Sequence, residues 1–534
     1  MGLDKRTGEV VWFNGTRDLP YDTSYSGPVL TSFNGQKAMV VGCGDGAVWA
    51  FQPRTGKAIW SFNLSRRGLN APPLVDGNTI YAGHAEENME GTAMGALASI
   101  NTGDGNITKT GKNWLIEEVA AGRTQPIKVG NHIWVFTDQA KLLVFDPETG
   151  QQVGRRVALG TMMRSSPLQA DGKVYAFTVN SRWAILEPDD RAGAKIVSKG
   201  RLPSGEETHA SPICVDGRIY VQTTGGLYCL KDESKESGWG ETLELPQEAA
   251  VTDESPAWVQ VIPADALLRP GDSQQFKVKL YNSLGQFVGD ANNAEFSIAG
   301  RGSISSDGKL SLPEDMAHEA VVVTAKVGDL TGEGKVRVVP PLPWKFDFER
   351  TAINNGKGEP PVTWVGARYR HVVREEDGNK VMVKITTIPK GTRSRCWFGQ
   401  SDLHDYTIQA DVKGAIVDNK MPDIGLLAQG YALDLQGASQ QLQIRSWVPQ
   451  LRMAVTIPFP WEADTWYTMK LQASVEGGKA ILKGKVWPKS ESEPTDWTIE
   501  ATDEVPNLSG SPGLYGNAKD AEIFLDNLSV YANP

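Results

Sequence analysis

The feature that most constrains this chain is a punctuation that returns roughly every 40–50 residues through its first half, a period typical of repeat architectures. A Thr-Gly pair or close substitute recurs at Thr7-Gly8, Thr55-Gly56, Thr102-Gly103 and Thr149-Gly150, then at Ala192-Gly193 and Ser237-Gly238. A small residue precedes proline at Gly27-Pro28, Ala71-Pro72, Ser166-Pro167 and Ser211-Pro212, with Gln125-Pro126 in the corresponding place. Behind most of these prolines comes a second turn, at Asp76-Gly77, Gly130-Asn131, Asp171-Gly172 and Asp216-Gly217. Each opens a short apolar strand: TIYAG, HIWVF, KVYAF, RIYVQ. Turns of this chemistry close tight hairpins. A unit therefore reads strand, Asp-Gly turn, strand, short turn, strand, Thr-Gly turn, strand, with no helix-period stretch. Four short antiparallel strands per unit make a propeller blade, which covers its faces only by stacking on its neighbours.

Two units carry a fuller motif. DKRTGEVVW, with Gly8 and Trp12, and FQPRTGKAIW, with Gly56 and Trp60, resemble the D-x-x-T-G-x-x-x-W repeat of PQQ-like propellers. The resemblance covers residues 1–245 and implies that Trp12 and Trp60 pack between adjacent blades. Later repeats depart from it, with Val153 and Lys195 where tryptophan is expected. The pattern gives five full units and a strand pair at residues 2–13. Either the repeat continues upstream of Met1, with any signal peptide, or the opening strands complete the last blade.

The family divides by chemistry. Quinoprotein dehydrogenases hold PQQ with an adjacent-cysteine disulfide, a stacking tryptophan and a calcium site. This chain has no Cys-Cys pair; Cys43, Cys214, Cys229 and Cys396 stand apart and form no zinc pattern. They are expected to be buried free thiols, with Cys214 and Cys229 as candidate cross-strand neighbours. Glu86, Glu87 and Glu90 read as a solvated insertion. PQQ is therefore not expected, and a PQQ-dependent dehydrogenase is the lesser alternative. The chain looks more like the BamB-like branch, which implies protein partners at the propeller loops and a place in the periplasm, at the outer membrane or on the cell surface. A net charge of -10 argues against nucleic acid as a partner, and no apolar run is long enough for a transmembrane helix.

After a linker at 246–256, residues 257–341 give short alternating strands around Asn282–Gly285 and Asp307-Gly308. They resemble a bacterial immunoglobulin-like sandwich, notably in P-G-D-S-x-x-F and T-G-x-x-x-V-x-V. No site is assigned there, and His318, in a polar stretch, is expected at the surface. Residues 342–534 follow the Pro-rich PPLPW with many alternating strands and predict two packed antiparallel sheets. Their length and their paired ends, FDFE and FLDN, resemble a concanavalin A-like or laminin-G-like jelly roll. The fold class is thus all-β throughout.

Period-2 reading of the last domain gives the candidate site. Arg393, Arg395 and Trp397 share one strand face, and Gln443, Arg445 and Trp447 share another. Aromatic rings stack on sugar C–H groups, and the planar guanidinium fork suits hydroxyl, carboxylate and sulfate groups. Both strands are expected to bind a glycan. Asp423, Asp434, Glu462 and Asp464 look scattered, with no two on one strand face, so the paired carboxylates of a glycosidase are not evident. No catalytic residue is assigned, and glycoside hydrolase remains an alternative to a non-catalytic envelope scaffold with polysaccharide as ligand. The FDFE and FLDN resemblance implies a structural calcium at Asp347, Glu349 and Asp526, with Asp347 and Glu349 on one side of a strand.

Overall fold

The repeat turns form because the first residue of each binds the backbone that follows it. In the computed structural model, which describes residues 1–17, 21–203, 205–234, 247–386, 393–446, 451–518 and 521–534, Gln52 Oε1 accepts from Arg54 N at 2.6 Å and Thr55 N at 3.0 Å. Asp146 Oδ1 accepts from Glu148 N at 3.1 Å and Thr149 N at 2.8 Å. Asp189 Oδ1 does the same for Arg191 and Ala192. The closing N–H then returns to the first carbonyl, Gly56 to Gln52 at 2.8 Å and Gly150 to Asp146 at 2.9 Å. Gly56 and Gly150 stand at φ 70° and 71°, where only glycine is free of Cβ strain. Ser237-Gly238 lies outside the described residues.

The described residues contain strands and no helix, and therefore no helix long and apolar enough to cross a membrane. They fall into two units. The first comprises Met1–Gly2, Trp12–Ala257 and Tyr281–Val288. Its first sheet is an antiparallel meander of Val29–Phe33, Gln36–Gly42, Ala47–Phe51 and Ala58–Asn63, with Gly105–Asn106 added parallel to the last. Three four-stranded sheets follow, and a fifth shows three strands among the described residues.

Alternation explains why these strands read as continuous apolar runs. On His132–Phe136, Ile133 and Val135 share a core with Tyr81 and Leu97 of the preceding sheet. Trp134 and Phe136 share one with Val174 and Ala176 of the following sheet. Ile80 and Ala82 likewise join Trp60 and Phe62. A strand such as His132–Phe136 is buried on both faces by neighbouring sheets, so neither face is polar.

The two repeat tryptophans differ. Trp12 donates its indole N–H to Pro53 O at 2.9 Å, against the turn ending at Gly56. Trp60 is 1% exposed within the sheet-to-sheet core, and its indole N–H has no acceptor among the described residues. Trp114, on the second sheet, makes the same contact with the turn of the third, donating to Pro147 O at 3.0 Å. The repeat spacing hides it, because that spacing puts a hairpin turn at Thr102-Gly103. That pair instead begins an excursion containing Gly105–Asn106, and the turn closes with Gly111 N donating to Ile107 O.

The cysteines differ from expectation. Cys214 pairs with Ile219 and Cys229 with Tyr220 on the strand between them. Successive residues point to opposite faces, so the thiols are not neighbours. Both are exposed, while Cys43 and Cys396 are buried.

The second unit comprises Leu3–Val11, Trp258–Leu280 and Gly289–Pro534. Val10 O accepts from Ala264 N at 2.6 Å, so the opening segment hydrogen-bonds here. One core joins Val259, Val261, Phe276, Leu310, Val323 and Val336. Beyond it, two antiparallel sheets of eight and six strands face each other. Trp344–Phe346 pairs with Ile523–Ala532. The shared core takes Ile408, Ala410, Met469 and Leu471 from the larger sheet and Cys396, Leu426, Leu433, Ile444 and Leu514 from the smaller.

His318 is half-buried instead of lying free at the surface. Its ring lies 5.0 Å from Trp344 and 4.9 Å from Phe346 between centroids, and Nδ1 is 3.2 Å from Thr363 Oγ1. The polar stretch around it folds back onto aromatic residues distant in sequence, which alternation alone does not reveal. Burial lowers its pKa to about 4.

Burial does the same to His84 and His371, each to about 4; they are 1% and 3% exposed. Their folded-state values lie below the ordinary 6.5, so the unfolded chain binds the extra proton between those limits. Stability is then full above pH 6.5 and lost as pH falls toward 4. For His371, going from pH 7 to 5 is expected to cost about 2 kcal/mol. Urea titrations at the two pH values check this, and His371→Gln should flatten the dependence.

Candidate functional site

The inward residues of the six-stranded sheet fix what its other face presents. Its strand order is Arg393–Trp397, Gly513–Asn517, Asp423–Ala428, Tyr431–Gln436, Gln441–Ser446, Ala454–Pro458. Register aligns Arg395, Tyr515, Gly425, Asp434, Gln443 and Thr456 in one row across the outer face. The row on one side runs Trp397, Gly513, Leu427, Ala432, Arg445, Ala454. The row on the other begins Arg393, Asn517, Asp423.

The two strands chosen from sequence therefore share one sheet face. Three strands lie between them, which separates them by about 19 Å. Trp447 lies outside the described residues. Arg393 and Arg395 are exposed at one margin, Gln443 and Arg445 half-buried toward the other, and the centre between them is buried.

The floor is low where glycine sits beside an aromatic ring. A Cβ on Gly513 would stand 3.0 Å from Trp397 Cδ1, and one on Gly425 would stand 3.0 Å from Tyr515 Cδ1. Both rings lie against the neighbouring strand's backbone. Trp397 and Tyr515 pack with Leu427 and Ala432 into a small apolar cluster on this face.

Beside Trp397 opens a cavity of about 590 Å³, lined also by Leu427, Tyr431, Asn507, Leu508 and Ser509. Its outer wall is pinned. Tyr431 Oη donates to Asp503 Oδ2 at 3.0 Å and accepts from Asn507 N at 2.9 Å. Arg452 Nη2 donates to Asp503 Oδ2 at 2.7 Å and to Asn507 Oδ1 at 3.0 Å.

Asp434 belongs to this face, and strand-by-strand reading misses it because pairing is what brings it there. It is 3% exposed, with Oδ2 accepting from Arg445 Nη2 at 3.1 Å and Oδ1 buried without a close hydrogen-bond partner among the described residues. Burial, opposed by Arg445, raises its pKa to about 6. Asp423 is not scattered from it but diagonally adjacent, one strand and one row away. Asp423 accepts from Gly437 N and Asn517 Nδ2, each at 3.0 Å. The guanidinium of Arg445 lies 5.7 Å from the centroid of Tyr515. Period 2 alone misses Tyr515 and Asp423 for the same reason.

Each of the three proposed calcium ligands is engaged in hydrogen bonds within the chain. The strand ends at Phe346 and Phe348 has φ 59°, so the alternation placing Asp347 and Glu349 on one side does not apply. Asp347 Oδ1 accepts from Glu349 N, and Glu349 Oε1 accepts from Lys380 N. Asp526 Oδ2 accepts from Asn379 and Asn527 side chains. Among the described residues no three His, Cys, Asp or Glu gather as a metal site.

The stacked four-stranded meanders of the first unit define a repeat protein of the β-propeller type. Residues 1–241 match the family described as outer membrane protein assembly factor BamB. Among solved structures, BamB from Moraxella catarrhalis is 16% identical, covering 58% of this chain and 87% of that one, with a TM-score of 0.31. The WD40 β-propeller domain of Doa1 is 10% identical, covering 39% and 65%, with a TM-score of 0.29. No curated protein matches the chain.

Proposed function

We propose that this protein is a non-catalytic scaffold of the cell envelope that binds a glycan on the outer face of its six-stranded sheet. The observation that carries the reading is Trp397. Chosen from sequence as a sugar-stacking residue, it lies against Gly513 and lines an open cavity of about 590 Å³. An aromatic wall with polar groups around it is what a sugar ring needs, and sites of this size hold small ligands. The sheet pair is read as a concanavalin A-like jelly roll, and the sandwich before it as an immunoglobulin-like spacer. The meanders of the first unit supply rigid elements with loops at both ends, suited to protein partners, and the BamB-like match supports that reading and a periplasmic, outer-membrane or surface location.

Binding of a panel of oligosaccharides by calorimetry tests the glycan claim. Trp397→Ala is expected to weaken the best binder about tenfold, or about 1.4 kcal/mol, under conditions where the variant, which also loses apolar packing, is fully folded. Undiminished affinity would remove Trp397 from the site.

Glycoside hydrolase is the second reading, favoured by Asp423 and Asp434 on one face. Diagonal neighbours in a sheet stand about 7–8 Å apart, near the spacing of paired carboxylates in glycosidases. The burial of Asp434 puts it beneath a ligand instead of against it, which favours binding. Prolonged incubation of the bound oligosaccharide should leave it intact; released reducing ends would reverse the choice.

A further inference from the structure

We infer that the ligand of this face is an acidic oligosaccharide, one bearing carboxylate or sulfate groups that meet guanidinium groups on both sides of the groove. The inference rests on the glycan reading and adds the charge of the ligand.

The chain as a whole is acidic, at -10, yet the most exposed charged side chains among the described residues of these rows are arginines. Of its two carboxylates among the described residues of the three rows, Asp434 is buried and Asp423 half-buried. Asp434 is 3% exposed and hydrogen-bonded to Arg445. Asp423 spends one oxygen on Gly437 N and the other on Asn517. The arginines at the margin are the more exposed. Arg393 and Arg395 are exposed on the strand that carries Trp397, and Arg370 Nη1 reaches Arg393 O at 3.0 Å. Arg445 borders the opposite side, and its planar group is held by Asp434 beside the Tyr515 ring.

The geometry also sets the ligand's length. Arg395 is two residues from Trp397 on one strand, about 7 Å along it. A ring stacked on Trp397 would place an acidic substituent of the same or the next sugar against Arg395. Arg445 lies in the row of Trp397 but four strand spacings away, about 19 Å. A monosaccharide cannot touch both; an extended chain with repeated anionic groups can. Guanidinium groups recognise carboxylate and sulfate through the same two parallel N–H bonds, so the face selects charge and leaves the choice of anion to substituent geometry.

The test compares length-matched oligosaccharides on the full chain: neutral β-glucan fragments, uronic-acid fragments and sulfated galactan fragments, each at low salt and at about 0.5 M NaCl, where surface charge is screened within a few ångströms. At least tenfold tighter binding of one acidic series is expected, lost at high salt, and the two acidic arms tell carboxylate from sulfate. Arg395→Gln, at an exposed position expected to fold normally, should reduce the acidic-to-neutral ratio at least fivefold. Arg445→Gln should act in the same direction if its fold is kept. Equal or tighter binding of the neutral series would overturn the inference and leave the glycan reading standing. No binding of any series would overturn both.

Discussion

Replacing Gly56 by alanine is expected to destabilise the first unit by about 4 kcal/mol. A left-handed conformation costs an ordinary residue roughly 1–2 kcal/mol, and Gly56 sits at φ 70°. The larger part is steric. The new Cβ would stand 2.4 Å from Trp12 Cε3, forcing the indole off the turn and off Pro53 O. Losing that packing is expected to cost about 2 kcal/mol more. Gly77→Ala supplies the control, because Gly77 has a similar φ of 59° with nothing within 4 Å of a Cβ. It should cost only about 1–2 kcal/mol. Urea unfolding of the two variants separates the terms; equal losses would mean that the tryptophan contact stabilises nothing.

Arg445→Leu is expected to cost about 3 kcal/mol at pH 8, because it leaves the Asp434 carboxylate buried and unpaired. The loss should shrink to about 1 kcal/mol at pH 5. The sign follows from the carboxyl's folded-state pKa, already raised to about 6 by burial and raised further without the guanidinium. Such a group favours the folded state at low pH and loses that contribution as pH rises through its folded value. Urea titrations of wild type and variant at both pH values check this. A pH-independent difference would show that Asp434 is not the group left exposed to desolvation.

The repeat fold is legible because its signals are local. A turn needs its own glycine, and a strand such as HIWVF shows by its apolar continuity that both faces are covered. Gly103 illustrates the limit: a Thr-Gly pair without the preceding acceptor does not make the turn, and Trp114 stays hidden behind it. In the last domain, alternation groups Arg393, Arg395, Trp397, Gln443 and Arg445 as one-sided sets, and the register puts them on one sheet face. It does not show that strands far apart in sequence share a sheet, nor that Tyr515, Asp423 and Asp434 fill the space between them. That information lies in strand pairing, which is non-local. His318 fails in the same way, since its aromatic partners come from another segment.

Hydrogen–deuterium exchange of the full chain, with and without a saturating mixture of acidic polysaccharide fragments, tests the central claim most directly. Protection is predicted in the peptides spanning Arg393–Trp397, Gln441–Ser446 and the cavity wall at 506–511, with the eight-stranded sheet unchanged. Protection confined to the eight-stranded sheet or to the propeller-type meanders, with none on the outer face of the six-stranded sheet, would contradict it.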